Sequence, residues 1–319
     1  MPATADAPLR LPENLRRLMK AGGLGATEDR ARVHALMRAR GLSTVCEEAR
    51  CPNIGECFAS GTATFMILGD RCTRRCHFCN VTTGKPRAVD VDEPAKLADA
   101  ATQLGLSHVV ITSVDRDDLK DKGAAHWAAC IRAVKATGKA VEVLVPDFGG
   151  DLALADVVLD AAPDVFNHNL ETVARLYKAV RPQSRLDHTT ALLAHAAQRA
   201  STSNTAGTVA GTIVKSGIMV GLGETDDEVD ATLGTMRELG VAIATIGQYL
   251  RPSLAHWPVS RYVDDDTYAR WVRHGEAIGI GHVFAGPFVR SSYHAAEAHR
   301  ALEIRAPQAP KSALLKVLS

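Results

Sequence analysis

Beyond about residue 61, short apolar runs rich in Val, Ile and Leu recur along the chain, each followed by a longer segment whose apolar positions repeat at helical spacing. The runs predict strands at 63–69, 108–114, 141–145, 165–168, 213–221 and 242–248. The periodic segments predict helices at about 92–104, 124–137, 152–161, 172–180, 189–199 and 226–239, with another at about 265–278. Strands that are apolar throughout are covered on both faces, and strands alternating with helices pair in parallel, because a parallel neighbour needs a crossover. Six such units predict an α/β fold, a partial (β/α)6 TIM-type barrel in preference to a closed eightfold one. In that architecture the residues just after each strand gather at one rim, where active sites of this fold are built. Here they are the loop from Cys72 onward, Asp115–Arg116–Asp117, Pro146–Asp147, Asn169–Glu171, Glu224–Thr225 and Gln248–Tyr249.

The alternation is absent upstream. Residues 2–40 are mixed and polar, with a helix-like stretch at 28–40 and glycine punctuation at Gly22, Gly23 and Gly25. This divides the chain into an N-terminal extension (1–60), a barrel (61–289) and a C-terminal tail (290–319). Hydrophobic residues at 46% and charged residues at 23% are ordinary globular usage, which argues against disordered, collagen-like and solenoid classes. Thirty-seven Lys and Arg against thirty-six Asp and Glu leave a net charge of +1, so neither nucleic acid nor anionic lipid is expected to hold the protein by bulk electrostatics. No run approaches the eighteen apolar residues of a spanning helix, and the opening MPATADAPLR lacks a secretory plan; a soluble, cytoplasmic protein with no membrane partner is the expectation. Seven cysteines are too few for a disulfide scaffold of this size, and their clustering points to metal or redox chemistry.

The first predicted strand runs into Cys72, Cys76 and Cys79, a C-x3-C-x2-C loop. Three thiolates can wrap one side of a [4Fe–4S] cube, leaving one iron open for chemistry unless a distant residue supplies a fourth ligand. The competing identity is a zinc site, but structural zinc takes four Cys or His ligands, and His77 is awkwardly adjacent to Cys76. A second triad, Cys46, Cys51 and Cys57 in CEEARCPNIGEC, is C-x4-C-x5-C and again one ligand short. Cys130, on a helical stretch, reads as a small buried hydrophobe.

A C-x3-C-x2-C loop at the end of a first barrel strand resembles the radical S-adenosylmethionine (SAM) superfamily, and its pairing with an upstream C-x4-C-x5-C resembles the lipoyl synthase family within it. The likeness continues through TVCEEARCPN (44–53), TSVDRDDL (112–119), PDF (146–148), FNHNLET (166–172), GLGET (221–225), GQYLRP (247–252) and RSSYHA (290–295), covering roughly residues 41–296. The resemblance implies that the open iron at Cys72, Cys76 and Cys79 chelates SAM, whose reductive cleavage gives a 5′-deoxyadenosyl radical. It implies a second, auxiliary [4Fe–4S] cluster on Cys46, Cys51 and Cys57, consumed as the sulfur source for C6 and C8 of an octanoyl-lysine. Ser292 of the RSSY motif, with Ser291 as the fallback, would be its fourth ligand: an alkoxide is a more exchangeable partner than thiolate for soft iron–sulfide chemistry. Sulfur insertion into an unactivated chain requires removing hydrogen atoms that no side-chain base could take as protons, so the cofactor carries that step.

Phe78 is placed to stack beside the SAM adenine, or to pack. Asn169 and Glu171 are placed to hydrogen-bond SAM, a helix start being the alternative for Asn169. The implied partners are octanoylated lipoyl carrier domains of 2-oxoacid dehydrogenases or of the glycine-cleavage H protein, an electron donor such as ferredoxin or flavodoxin, and a cluster-rebuilding protein. The chain departs from the family at Lys122, where a glycine pair is usual, at Leu11-Pro12-Glu13-Asn14, which lacks a Pro-x-Trp motif, and after Gln183, where a tyrosine is missing. Other radical SAM enzymes with an auxiliary cluster, such as methylthiotransferases, lack the C-x4-C-x5-C and RSSY pair. A non-catalytic two-cluster electron carrier would need eight thiolates where the two triads offer six.

Overall fold

In the computed structural model, residues 9–13, 15–16, 40, 43–44, 62–202 and 211–292 are described. In chain order the strands are β1 (Ser43–Thr44), β2 (Thr62–Ile67), β3 (Arg71–Cys72), β4 (Thr82–Thr83), β5 (His108–Ser113), β6 (Ala140–Leu144), β7 (Val165–Asn167), β8 (Ile213–Val220), β9 (Ile243–Gln248) and β10 (His282–Gly286). The helices are α1 (Glu93–Gln103), α2 (Ala124–Lys135), α3 (Leu152–Leu159), α4 (Ala174–Val180), α5 (Leu186–Thr202), α6 (Asp226–Glu238) and α7 (Asp265–Ala277). The main sheet has the order β1-β2-β5-β6-β7-β8-β9-β10, parallel throughout except for β1, which runs antiparallel on the outer edge of β2.

Each strand lies beside its predecessor, and successive right-handed crossovers in one direction place the helices on one face. The sheet therefore buries an apolar row toward the helices. Phe65, Ile111, Val143, Phe166 and Val214 are register partners across five strands and all belong to the core. The opposite row, Thr64, Val110, Glu142 and Val165, faces the concave side and is mixed. There Lys215 Nζ meets Glu142 Oε1 at 2.9 Å, both side chains wholly buried. Such a pair is retained only when each charge offsets the other's desolvation.

The six predicted strands are all present, and the helices agree to within a few residues. The structure adds a seventh parallel strand, β10, on the far edge of β9 after α7, so the partial barrel has one more unit than the six expected. Local chemistry sets the helix starts: Asp151 and Asp264 accept from backbone N–H groups two and three residues on, and Thr225 with Glu228 forms a reciprocal capping box. No helix among the described residues is long and apolar enough to cross a membrane.

Candidate active site at the strand ends

The loop bearing Cys72, Cys76 and Cys79 leaves β2 through Leu68, a left-handed residue at φ +67°. That costly conformation is pinned from both sides: Leu68 N–H donates to Glu93 Oε2 at 2.9 Å, and Leu68 C=O accepts from Arg116 Nη1 at 3.1 Å. The loop is then tied down by the β3–β4 pair, by Gly84 N–H to Cys72 C=O at 3.0 Å, and by a turn in which Cys79 N–H reaches Cys76 C=O at 3.1 Å. The segment after β9 closes against it, with Trp257 N–H donating to His77 C=O at 2.9 Å and His256 Nε2 lying 3.1 Å from Cys79 C=O.

All three thiols are half-buried, and burial pushes Cys72 up to about 11, Cys79 up to about 12 and Cys76 upward as well. Left alone they stay protonated, so an electropositive metal must replace the protons for them to act as thiolates. Their sulfurs are not gathered mutually within 4.8 Å as donors to a single ion would be. Cys72 Sγ already accepts from the backbone N–H groups of Arg74 at 3.4 Å and Asp115 at 3.3 Å, dipoles that favour thiolate.

Arg74, inside the loop, is buried and holds the loop to the ends of β5 and β6. Its guanidinium makes two bonds to Asp117, at 2.7 and 2.8 Å, and reaches Asp147 at 2.8 Å and Asp115 at 3.5 Å. Burial pushes the Asp147 carboxyl up, but the hydrogen bond and charge of Arg74 outweigh it and hold the group at about 2. Asp115 goes the other way, because its desolvation exceeds the attraction of Arg74.

Asn169 and Glu171, after β7, stand together: Asn169 Nδ2 donates to Glu171 Oε1 at 3.1 Å. Glu171 is locked by Glu171 N–H to Gly217 C=O and Met219 N–H to Glu171 C=O, both at 2.9 Å, in a left-handed conformation at φ +69°. Burial raises its carboxyl above the usual range. The helix-start alternative for Asn169 is not observed, since Val173 caps α4. Phe78 is partly buried and packs against the hydrophobic core.

Arg181, at the end of α4, completes this wall and was not singled out by its sequence context. Its guanidinium bonds Asn169 C=O at 3.3 Å and lies against Cys76 and Glu171. A chain of hydrogen bonds fixes it, and every proton in that chain has one assignment. Arg181 Nη1–H can only donate, and it does so to Tyr177 Oη at 2.8 Å; Tyr177 O–H then donates to Thr189 Oγ1 at 2.6 Å. Thr189 O–H donates to His168 Nε2 at 3.0 Å, leaving the ring proton on Nδ1 to donate to Val145 C=O at 2.7 Å. Burial, aided by the charge of Arg181, keeps His168 neutral, lowering it to about 4.

Four polar atoms of this wall, all buried, lack partners among the described residues: both amide atoms of Asn167, Asn169 Oδ1 and Arg181 Nε. Buried donors and acceptors without partners, with Arg181 against Cys76, mark a place for a polar ligand.

The chain just after β10 returns to the same rim. After β10, Val289 C=O sits where a Cβ on Gly247 would lie, 2.1 Å from that position, so only glycine lets the segment seat there. Ser291 and Ser292 follow in a half-buried turn. Cys46, Cys51 and Cys57 lie outside the described residues.

The sequence profile of the radical SAM superfamily matches residues 66–236. The chain is 52% identical over 263 residues to a lipoyl synthase of Rubrobacter xylanophilus, covering 82% of this chain and 79% of that protein. It is 52% identical over 274 residues to a lipoyl synthase of Pseudomonas putida, covering 85% and 78%. Among solved structures, the FeFe-hydrogenase maturase HydG of Carboxydothermus hydrogenoformans shares the fold at a TM-score of 0.53 and 13% identity, over 91% of this chain and 72% of that one.

Proposed function

The chain belongs to the lipoyl synthase family of the radical SAM superfamily, and from that membership we infer that it is an enzyme, a sulfurtransferase that inserts two sulfur atoms at C6 and C8 of a protein-bound octanoyl-lysine. Family membership brings with it a [4Fe–4S] cluster and SAM, which together supply hydrogen-atom abstraction through reductive cleavage of SAM. Cys72, Cys76 and Cys79 hold that cluster and leave one iron for SAM. What supports this assignment is the union of three half-buried thiols on one loop at the strand ends with the buried Arg181 beside Cys76 and unsatisfied buried polar groups next to it.

Within that wall each residue has a task. Arg181 presents a fixed cation with a free Nε to the SAM carboxylate. Asn169 and Glu171 hydrogen-bond the amino-acid or ribose groups, Asn167 offers an unpaired amide from the strand end below, and Phe78 borders the adenine. Arg74 and its aspartates act on the cluster only by holding the loop still. Cys46, Cys51, Cys57 and Ser292 hold the auxiliary [4Fe–4S] cluster that donates the sulfur, with residues 1–60 as the extension that carries its cysteines, 61–289 as the barrel and 290–319 as the tail. The seat of Val289 on Gly247 supports this, because it brings the serine pair back to the rim. Carrier domains bearing octanoyl-lysine are the substrates, a ferredoxin or flavodoxin the electron donor, and a separate protein rebuilds the spent cluster in the cytoplasm.

Anaerobic incubation of the reconstituted protein with SAM, a reductant and an octanoyl-lysyl peptide tests the assignment. Mass spectrometry should find a peptide with two sulfurs. SAM cleavage without any thiolated peptide would show a radical SAM enzyme of another specificity.

A further inference from the structure

Away from the strand ends, a second set of metal-ligating side chains is gathered between α1 and α2. Glu93 is the first residue of α1, and His126 and Cys130 lie one turn apart on α2, so they share a face of that helix. One ligand atom from each of the three lies within 4.8 Å of the others, and no other trio of His, Cys, Asp or Glu among the described residues meets that condition. We propose that Glu93, His126 and Cys130 form a mononuclear site for a divalent cation of the zinc type, separate from the cluster cysteines.

The donor set supports that metal class. One carboxylate oxygen, one imidazole nitrogen and one thiolate sulfur make a mixed, borderline-soft set suited to four-coordinate Zn²⁺, with the fourth position left to water. Cys130 is wholly buried and Glu93 nearly so, while His126 is slightly exposed, on the side nearest solvent. Glu93 is already oriented as a ligand should be: Oε2 accepts from Leu68 N–H at 2.9 Å and lies 2.6 Å from His126 Nε2. Cys130 also packs in the hydrophobic core, as its sequence context predicts, but among the described residues it is the one core thiol that stands within ligand distance of a carboxylate–histidine pair. On binding, the zinc ion replaces the thiol proton of Cys130, which leaves to solvent, and takes His126 as the neutral imidazole. The ion would join α1 to α2 and, through Glu93, brace Leu68 just ahead of the cluster loop. This inference stands independently of the reaction assigned above.

The test uses the full chain reconstituted with its iron–sulfur clusters, so that both cysteine triads are filled, then given zinc chloride and passed through a desalting column. Metal analysis should find about one zinc per chain. X-ray absorption at the zinc edge, which iron does not contaminate, should report one sulfur at about 2.3 Å with nitrogen and oxygen at about 2.0 Å. Cys130→Ser should remove the sulfur signal, and His126→Gln should abolish zinc retention, while both variants keep cluster absorbance and SAM cleavage as evidence of folding. Loss of all zinc on the column would overturn the proposal. So would a zinc spectrum with two or three sulfurs that is identical in Cys130→Ser, because that zinc would sit on the triads.

Discussion

At the scale of the residue, the site is governed by where protons are kept. His168 is held neutral at about 4, below its ordinary 6.5, so in the acid range the unfolded chain takes up a proton that the folded chain refuses. Its contribution to stability is present above 6.5 and is lost as pH falls toward about 4. Denaturant melts of the cluster-free protein across that window should show a downward slope that His168→Gln flattens; an unchanged slope would mean that His168 titrates normally. At the far end of the same chain, Arg181 carries the charge. A hydrogen bond to a charged group is worth about 1.5–3 kcal/mol, so Arg181→Gln should weaken SAM binding roughly tenfold to a hundredfold, measured by calorimetry on the reconstituted protein. Arg181 and Arg74 were invisible as site residues in the sequence for a definite reason. An arginine is usually solvated, and the three aspartates that pair with Arg74 lie 41 to 73 residues away. The cysteines were legible because their spacing is local.

At the scale of the element, the cluster loop depends on Arg74 joining it to the ends of β5 and β6. Arg74→Leu leaves the Asp147 carboxylate buried and unpaired, a loss of about 3–5 kcal/mol at neutral pH. The wild-type contribution of Asp147 is present above 3.8 and lost as pH falls toward about 2, whereas in the variant protonation relieves the unpaired charge. The difference between the two proteins in urea melts should therefore shrink as the solution is acidified; a gap that stays constant with pH would point to lost packing alone. Gly247→Ala tests the seat of the tail. A methyl group there meets Val289 C=O, so the segment carrying Ser291 and Ser292 must shift while the cluster loop is untouched. The expected outcome is near-normal 5′-deoxyadenosine formation with sulfur insertion strongly reduced. The same contact explains what the sequence pattern did not reveal. β10 is a five-residue edge strand with a single fully buried position, too short and too mixed to stand out as an apolar run, and its role is to turn the chain back toward the rim. Lys122, where the family usually has a glycine, takes a left-handed φ of +50° and ties its Nζ to Asp117 C=O at 2.9 Å. The departure is thus accommodated without disturbing the cysteine loop.

At the scale of the whole molecule, sheet order and parallel pairing followed from the alternation of apolar runs and helices, because crossover geometry leaves few alternatives. Distances between remote side chains did not follow, since they depend on how the sheet curls. The proposed reaction divides its work between two iron–sulfur clusters. In the function proposed above, the SAM-binding cluster generates the abstracting species and the auxiliary cluster gives up sulfur, so removing one should not silence both. The most direct test compares the wild type with a variant carrying alanine at Cys46, Cys51 and Cys57, each reconstituted anaerobically and given SAM, reductant and octanoyl-lysyl peptide, with 5′-deoxyadenosine and thiolated peptide quantified together by mass spectrometry. The predicted result is two-sulfur peptide from the wild type alone, with 5′-deoxyadenosine from both. Two-sulfur peptide from the variant, or the loss of 5′-deoxyadenosine from a variant that retains its SAM-binding cluster, would contradict it.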